Sequence, residues 1–195
     1  ARQGGLRALD VRDVSLEDGY LEFRHRPTTG TPLKNNLHGE RAVAIPDETA
    51  RALGEYLANH RHDVHDDTGR QPVLASRDGR PTENTVRVWS YLATLPCNAG
   101  NCPHGKDPNT CEWTDRAKAS MCPSSRSPHP IRTGSITWQL NRGLDIEIVA
   151  QRVNASPSVI RKHYDQAGNQ EEFEERRRAA ETALDIDEDN EETDA

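Results

Sequence analysis

Three side chains in this sequence have the types and spacing to break and remake a phosphodiester. His129-Pro130-Ile131-Arg132 sets a histidine and an arginine one helical turn apart, so both can face one phosphate. The arginine forks onto its oxygens, and the histidine positions the phosphate or shuttles a proton. Tyr164, in Arg161-Lys162-His163-Tyr164-Asp165, supplies a nucleophile that can accept the phosphoryl group covalently. A free phenol has a pKa of about 10, so its attack needs cations close by. Taken singly, each has an ordinary reading. A lone tyrosine after a charged helix is more often a packing or interface residue, and a His-x-x-Arg pair usually lines a solvated helix face.

The elements that must hold these residues are legible in outline. Leu6, Leu9, Val11 and Val14 form an apolar-periodic opening, and the chain starts at Ala1-Arg2 as if cut within a helix. Tyr20–Phe23 and Arg41–Ile45 alternate as strands do, with the turn-rich stretch 27–36 between them as a hairpin tip. Pro46-Asp47 starts a helix with Ala50, Leu53 and Leu57 on one face, and Thr82 caps another carrying Val86, Trp89 and Leu92. Val73-Leu74 reads as a short strand between them. A helix over His129–Arg142 is ended by Gly143, Asp145 caps the next, and Ser156-Pro157 starts one that leads to Tyr164. Residues 171–184 read as a charged helix, and the acidic end from Asp185 is expected to be disordered.

The net charge of −7 is unevenly spread. Residues 171–195 hold twelve acids and three arginines, a net of −9, which leaves +2 of that total on residues 1–170. The acidity belongs to the tail, and the body is free to present a basic face to phosphate. Hydrophobic residues are 33% of the chain, with no run near the roughly 20 residues of a membrane span and no signal-peptide pattern. A soluble, cytoplasmic protein is expected. Lysine occurs only at 34, 106, 118 and 162, and the excess of acids and arginine suits a protein kept hydrated in concentrated salt.

All four cysteines lie in one turn-rich segment, residues 96–128, as Cys97-x4-Cys102-x8-Cys111-x10-Cys122. Thiolates this close in sequence suit a closed, structural zinc site, with His104 as a spare ligand, although the spacing lacks a Cys-x-x-Cys pair. Reduced structural cysteines, or a redox or disulfide role, are the alternatives. Arg116, Lys118 and Arg126 would reach a nucleic-acid backbone from this segment.

Arg2 through Leu9, Lys34 in a hairpin, His129-x-x-Arg132 and Tyr164 follow one another in an order that resembles the catalytic domain of tyrosine recombinases. These are the phage-integrase and Xer-type enzymes, and the likeness is greatest to integrases of halophilic archaea. It spans residues 1–170 and implies a mainly α fold with a small antiparallel β-sheet (α+β), with the cysteine-rich stretch 96–128 as an insertion and 171–195 as an appended tail. The resemblance implies Arg2, Lys34, His129, Arg132 and Tyr164 as catalytic residues. Arg7 is the alternative to Arg2, and glycine stands where the family's first motif carries glutamate. A further family position, a histidine or tryptophan nine residues before the tyrosine, falls on Ala155; His163 does not replace it.

What the resemblance implies is a site-specific recombinase or integrase. It would act on double-stranded DNA as a tetramer, through a 3′-phosphotyrosyl intermediate and with no cofactor for catalysis. Family members clamp the other face of DNA with a further N-terminal domain, so this stretch alone is expected to be impaired or inactive. The rival readings are a type IB topoisomerase-like enzyme, and a non-catalytic, zinc-stabilised DNA-binding module favoured by Ala155.

Overall fold

A computed structural model describes residues 1–163; Tyr164 and the segment 171–195, to which the sequence assigns the nucleophile and the acidic tail, lie outside the described residues. The chain is helix-rich, with a small antiparallel sheet, as the expected α+β class requires. Helix α1 (Gln3–Ala8) leads to β1 (Val14–Ser15), β2 (Tyr20–Phe23) and β3 (Arg41–Ala44), then α2 (Asp47–Glu55) and α3 (Glu83–Ala93). The remaining helices are α4 (Pro128–Asn141), α5 (Ile146–Val153) and α6 (Pro157–His163). No helix among the described residues is long and apolar enough to cross a membrane.

Local signals set most of these elements. Thr82 accepts from the Thr85 amide at the start of α3, and Asp145 accepts from the Glu147 amide at the start of α5. Gly143, at φ +80°, ends the turn after α4 in a conformation that side chains avoid. In the sheet, β2 pairs with β1 and with β3, Leu21 lying opposite both Val14 and Val43.

Two expectations are corrected. The apolar opening is not one helix: α1 stops at Ala8, because the Leu9 carbonyl accepts from the Val73 amide and the Val11 amide donates to Gln71. For the same reason Val73-Leu74 is no strand. Its neighbour Pro72 makes only an isolated antiparallel bridge with Asp10, and proline has no amide to extend a ladder.

Two apolar clusters hold the fold. Ala8, Leu9, Phe23, Leu33 and Val73 pack with Val14, Leu21, Val43, Leu53 and Leu57 around the sheet. Ile136, Val149, Ala150, Val153 and Ile160 join α4, α5 and α6, with Leu140, Ile146 and Ala155 at the margin. Burying an isoleucine such as Ile136 or Ile160 contributes roughly 1.5–3 kcal/mol.

Beside the first cluster lies a polar hub on Asp10, only 2% exposed. Arg70 donates to both its carboxylate oxygens at 2.8 and 3.0 Å, and Arg80 donates at 2.6 Å. Arg26 stands 3.3 Å from the same carboxylate and pairs mainly with Asp13. Arg80 also donates to Asp66 at 2.7 Å. Burial alone would raise the Asp10 pKa, but the bonds and charges of Arg70 and Arg80 outweigh it and hold the carboxyl below its ordinary value.

The cysteine-rich segment is a chain of single 3₁₀ turns, at Pro96–Asn98, Glu112–Thr114 and Ala119–Met121. Its mouth is held by one bond: the Thr94 hydroxyl oxygen accepts from the Arg126 amide at 2.7 Å, while its hydrogen is best placed on the Ser90 carbonyl of α3 at 2.8 Å. Inside, Ala119 and Cys122 are buried, and the Ser125 hydroxyl donates to the Ala119 carbonyl at 2.7 Å.

Candidate active site

The C-terminal end of α5 organises the site. Its last carbonyls are orphaned by helix geometry and carry the negative end of the helix dipole. Three successive ones, on Arg152, Val153 and Asn154, each accept from a different arginine. Arg41 Nε donates to Arg152 at 2.9 Å, Arg132 Nη2 to Val153 at 2.9 Å and Arg2 Nη1 to Asn154 at 3.0 Å. The row brings together two residues named from sequence, Arg2 and Arg132, that are separated by most of the chain. Arg7, the alternative to Arg2, instead donates to the carbonyls of Pro81 and Gly30.

Arg132 is set by α4. Pro128 occupies the first turn, where its missing amide costs nothing, and the helix then turns Arg132 inward next to the buried Ile136. Arg132 is 6% exposed, and its Nη1 is buried with no hydrogen-bond partner among the described residues. A buried guanidinium nitrogen with no acceptor is costly in a folded protein, and a water or an anion could satisfy it. His129, one turn earlier, is exposed.

Lys34 is exposed, on a loop drawn to the same point. Leu33 before it is buried, its amide donating to His25 Nδ1 at 3.0 Å. Gly39 lies so close that a Cβ there would stand 3.0 Å from the Leu33 Cβ. Asn35 after it donates to the Asn154 side chain, and Asn154 Nδ2 donates to the His38 carbonyl at 2.7 Å. Asn154 ends α5 in the left-handed conformation, φ +53° and ψ 64°, which asparagine tolerates better than most residues. One residue thus offers its carbonyl to Arg2 and its side chain to the Lys34 loop. Ala155 follows, half-buried against the α4–α5–α6 cluster, with its amide on the Ala150 carbonyl. Ala155, where the sequence resemblance leads to the expectation of a ring, is a packing position.

Arg41 was missed from the sequence. It opens β3 and shares a face with the half-buried Val43, while Ala42 and Ala44 face solvent. A cation on the apolar face of an alternating strand was the available signal. Its guanidinium lies 4.4 Å over the Phe23 ring and donates to the Gly39 carbonyl at 2.7 Å. Burial, then Arg132 and Arg2, push its pKa down to about 10, so it remains a cation at neutral pH within a field of like charge.

The four cysteines are free thiols, and among the described residues no three Cys, His, Asp or Glu side chains gather as a ligand set. His104 is engaged elsewhere, at 2.9 Å from the Ser124 hydroxyl and edge-on to Trp113. Two basic residues expected to touch DNA are occupied within the segment: Lys118 pairs with Glu112 at 2.7 Å, and Arg126 donates to the Pro123 and Ser125 carbonyls.

No protein-family model and no curated protein matches this sequence. Solved structures do match the fold. A XerA recombinase superposes with a TM-score of 0.60 at 22% identity, over 91% of this chain and 53% of its own. The Tn1549 transposon integrase, in complex with circular intermediate DNA, gives a TM-score of 0.58 at 15% identity, over 92% of this chain and 56% of its own. The same integrase with transposon right-end DNA gives 0.58 and 15%. The fold is therefore recombinase-like, and the chain spans about half the length of the structures it matches.

Proposed function

We propose that this chain carries the strand-cleaving site of a site-specific DNA recombinase or integrase that works through a phosphotyrosine. The observation that best supports this reading is Arg132, whose Nη2 is fixed on the α5 terminus while the buried Nη1 has no acceptor among the described residues. Arg2, bound to the next carbonyl, completes a pair of guanidiniums beside the Lys34 loop. Cations held on carbonyls keep most of their charge, because a helix terminus offers only about half an elementary charge.

In the proposed reaction the Tyr164 oxygen attacks the scissile phosphorus, and the bond to the 5′ oxygen breaks. Arg2 and Arg132 grip the non-bridging oxygens as their negative charge grows, and Lys34 gives a proton to the departing 5′ oxygen. His129 orients the phosphate or takes the phenolic proton. The products are a 3′-phosphotyrosyl bond and a free 5′ hydroxyl. Attack by a hydroxyl from another strand reverses the step and conserves the bond, so rejoining consumes no nucleotide. Exchange between two duplexes calls for a tetramer on double-stranded DNA, which is part of the same proposal.

A library of nicked duplexes, whose cleaved end diffuses away, tests this reading. The intact protein is expected to form a denaturant-resistant adduct with a subset of the library, and Tyr164→Phe to form none. Persistence of the adduct in Tyr164→Phe, or its absence from the intact protein, would overturn the assignment. Relaxation of supercoiled plasmid without exchange between two sites would point to topoisomerase chemistry instead.

A structural zinc on Cys97, Cys102, Cys111 and Cys122 is a separate proposal, and it requires the thiols to draw together from the arrangement described. Metal analysis of the purified protein is expected to find one zinc per chain if it is right, with the metal lost in Cys122→Ala. Metal-free protein with an unchanged melting temperature would discard it. No catalytic step depends on the outcome.

A further inference from the structure

Arg41 lies outside the residues assigned to the reaction, yet the geometry ties it to them. It is the first of three arginines on consecutive α5 carbonyls, followed by Arg132 and Arg2. Its guanidinium is clamped on three sides, by the Phe23 ring, the Gly39 carbonyl and the Arg152 carbonyl. The cation is therefore held by a ring face and two neutral carbonyls. Arg152 adds a brace of its own, donating to Gln139 on α4 and to Ala44 on β3.

Packing alone does not account for this arrangement. A half-buried guanidinium costs desolvation, and a carboxylate partner is the usual compensation. Among the described residues, the charges acting on Arg41 are those of Arg132 and Arg2, which repel it. Like cations crowded together are unfavourable until an anion enters, and then each contributes to holding it. The hub on Asp10 shows the contrast: there the buried arginines meet carboxylates, as a purely structural cluster requires.

We propose that Arg41 is a positioning residue for the scissile phosphate, fixing the α5 carbonyl row that aims Arg132 and Arg2 and adding a third positive charge behind them. This rests on the phosphotyrosine reading of the site. Its substrate class is the same, a DNA phosphodiester carrying a full negative charge, and the proposal makes that charge the quantity to vary.

The test uses the intact protein and a duplex recovered from the nicked library, made with either a normal scissile phosphate or an uncharged methylphosphonate. Arg41→Met is expected to lower adduct formation about 10- to 100-fold on the phosphate, and less than about threefold on the methylphosphonate. Arg41→Lys, which keeps the charge but loses the planar fork over Phe23, is expected to recover only part of the loss on the phosphate. A merely structural residue would give equal losses on both substrates, following the fall in melting temperature; that result, or no loss at all, overturns the proposal.

If the intact protein makes no adduct, the phosphotyrosine reading fails on its own, and equilibrium binding to a duplex selected from the same library by affinity, made with either phosphate, still tests Arg41. A loss of affinity of about threefold or more in Arg41→Met, confined to the phosphate duplex, sustains the positioning role. Equal losses on both duplexes overturn it.

Discussion

Arg132→Met is expected to lower the rate of covalent adduct formation by about a thousandfold while leaving the protein as stable as before, or more so. The two halves follow from different atoms of one side chain. Nη1 is buried and has no acceptor among the described residues, so in the free protein it is a cost that methionine, of similar length, removes. Nη2 donates to Val153, and losing that bond costs on the order of 1 kcal/mol, which offsets the gain. In the transition state the balance reverses. Loss of one preorganised donor to a developing oxyanion costs roughly 10²–10³ in rate, and here a full charge goes with it.

Arg132→Lys is expected to recover little, because one ammonium cannot hold the Val153 carbonyl and present a second, fixed donor to phosphate. Adduct rates on the recovered duplex, beside urea denaturation of each variant, check both statements. A cleavage rate within about fivefold of the parent, or a stability loss above about 2 kcal/mol, would mean that Arg132 is a core residue rather than a phosphate ligand.

The second large effect falls on stability. Asp10→Ala leaves Arg70 without its carboxylate partner and Arg80 with Asp66 alone, at an expected cost of about 3–5 kcal/mol in urea denaturation. That is a substantial part of a domain's total. Removing Arg70 in the same chain, as Asp10→Ala with Arg70→Met, should cost less than the sum of the two single changes, since the unpaired charge goes too. The pH dependence has a definite sign. Because the Asp10 pKa is depressed in the folded state, its contribution is complete above the unfolded value of about 4 and is lost as pH falls through the folded one. Asp66 is depressed as well: burial opposes ionisation, but bonds from Thr68, Arg70 and Arg80 overcome it, so its contribution has the same sign. Asp10→Asn should flatten the acid limb of the stability profile; an unchanged limb would remove Asp10 from the account.

Why some of this was readable in the sequence and some was not comes down to chain distance. The caps at Thr82 and Asp145 and the stop at Gly143 depend on residues two or three apart, and they stand where expected. The helix carrying His129 and Arg132 was legible for the same reason, with glycine just past its end. What defeats a linear reading is pairing across the chain. Arg41 meets the Arg152 carbonyl 111 residues away, and Arg70 meets Asp10 at a separation of 60. Tertiary bonds at Leu9 and Val11 also cut short a helix that local periodicity favoured. Ala155 was legible only as a departure from the pattern the sequence resembles, and the structure packs it against the α4–α5–α6 cluster.

The bond from the Arg126 amide to the Thr94 hydroxyl gives the cysteine-rich segment a status of its own. A detour whose two ends are fastened to each other passes little of its interior strain to the helices on either side. Its mostly exposed part, residues 98–118, can lengthen, shorten or be exchanged for the price of a logarithm in loop entropy, whereas Ala119, Cys122 and Ser125 are buried and hold the base of the segment in place. A lineage of such proteins can therefore rewrite this stretch for new surroundings without reopening the question of where the arginine of α4 must point.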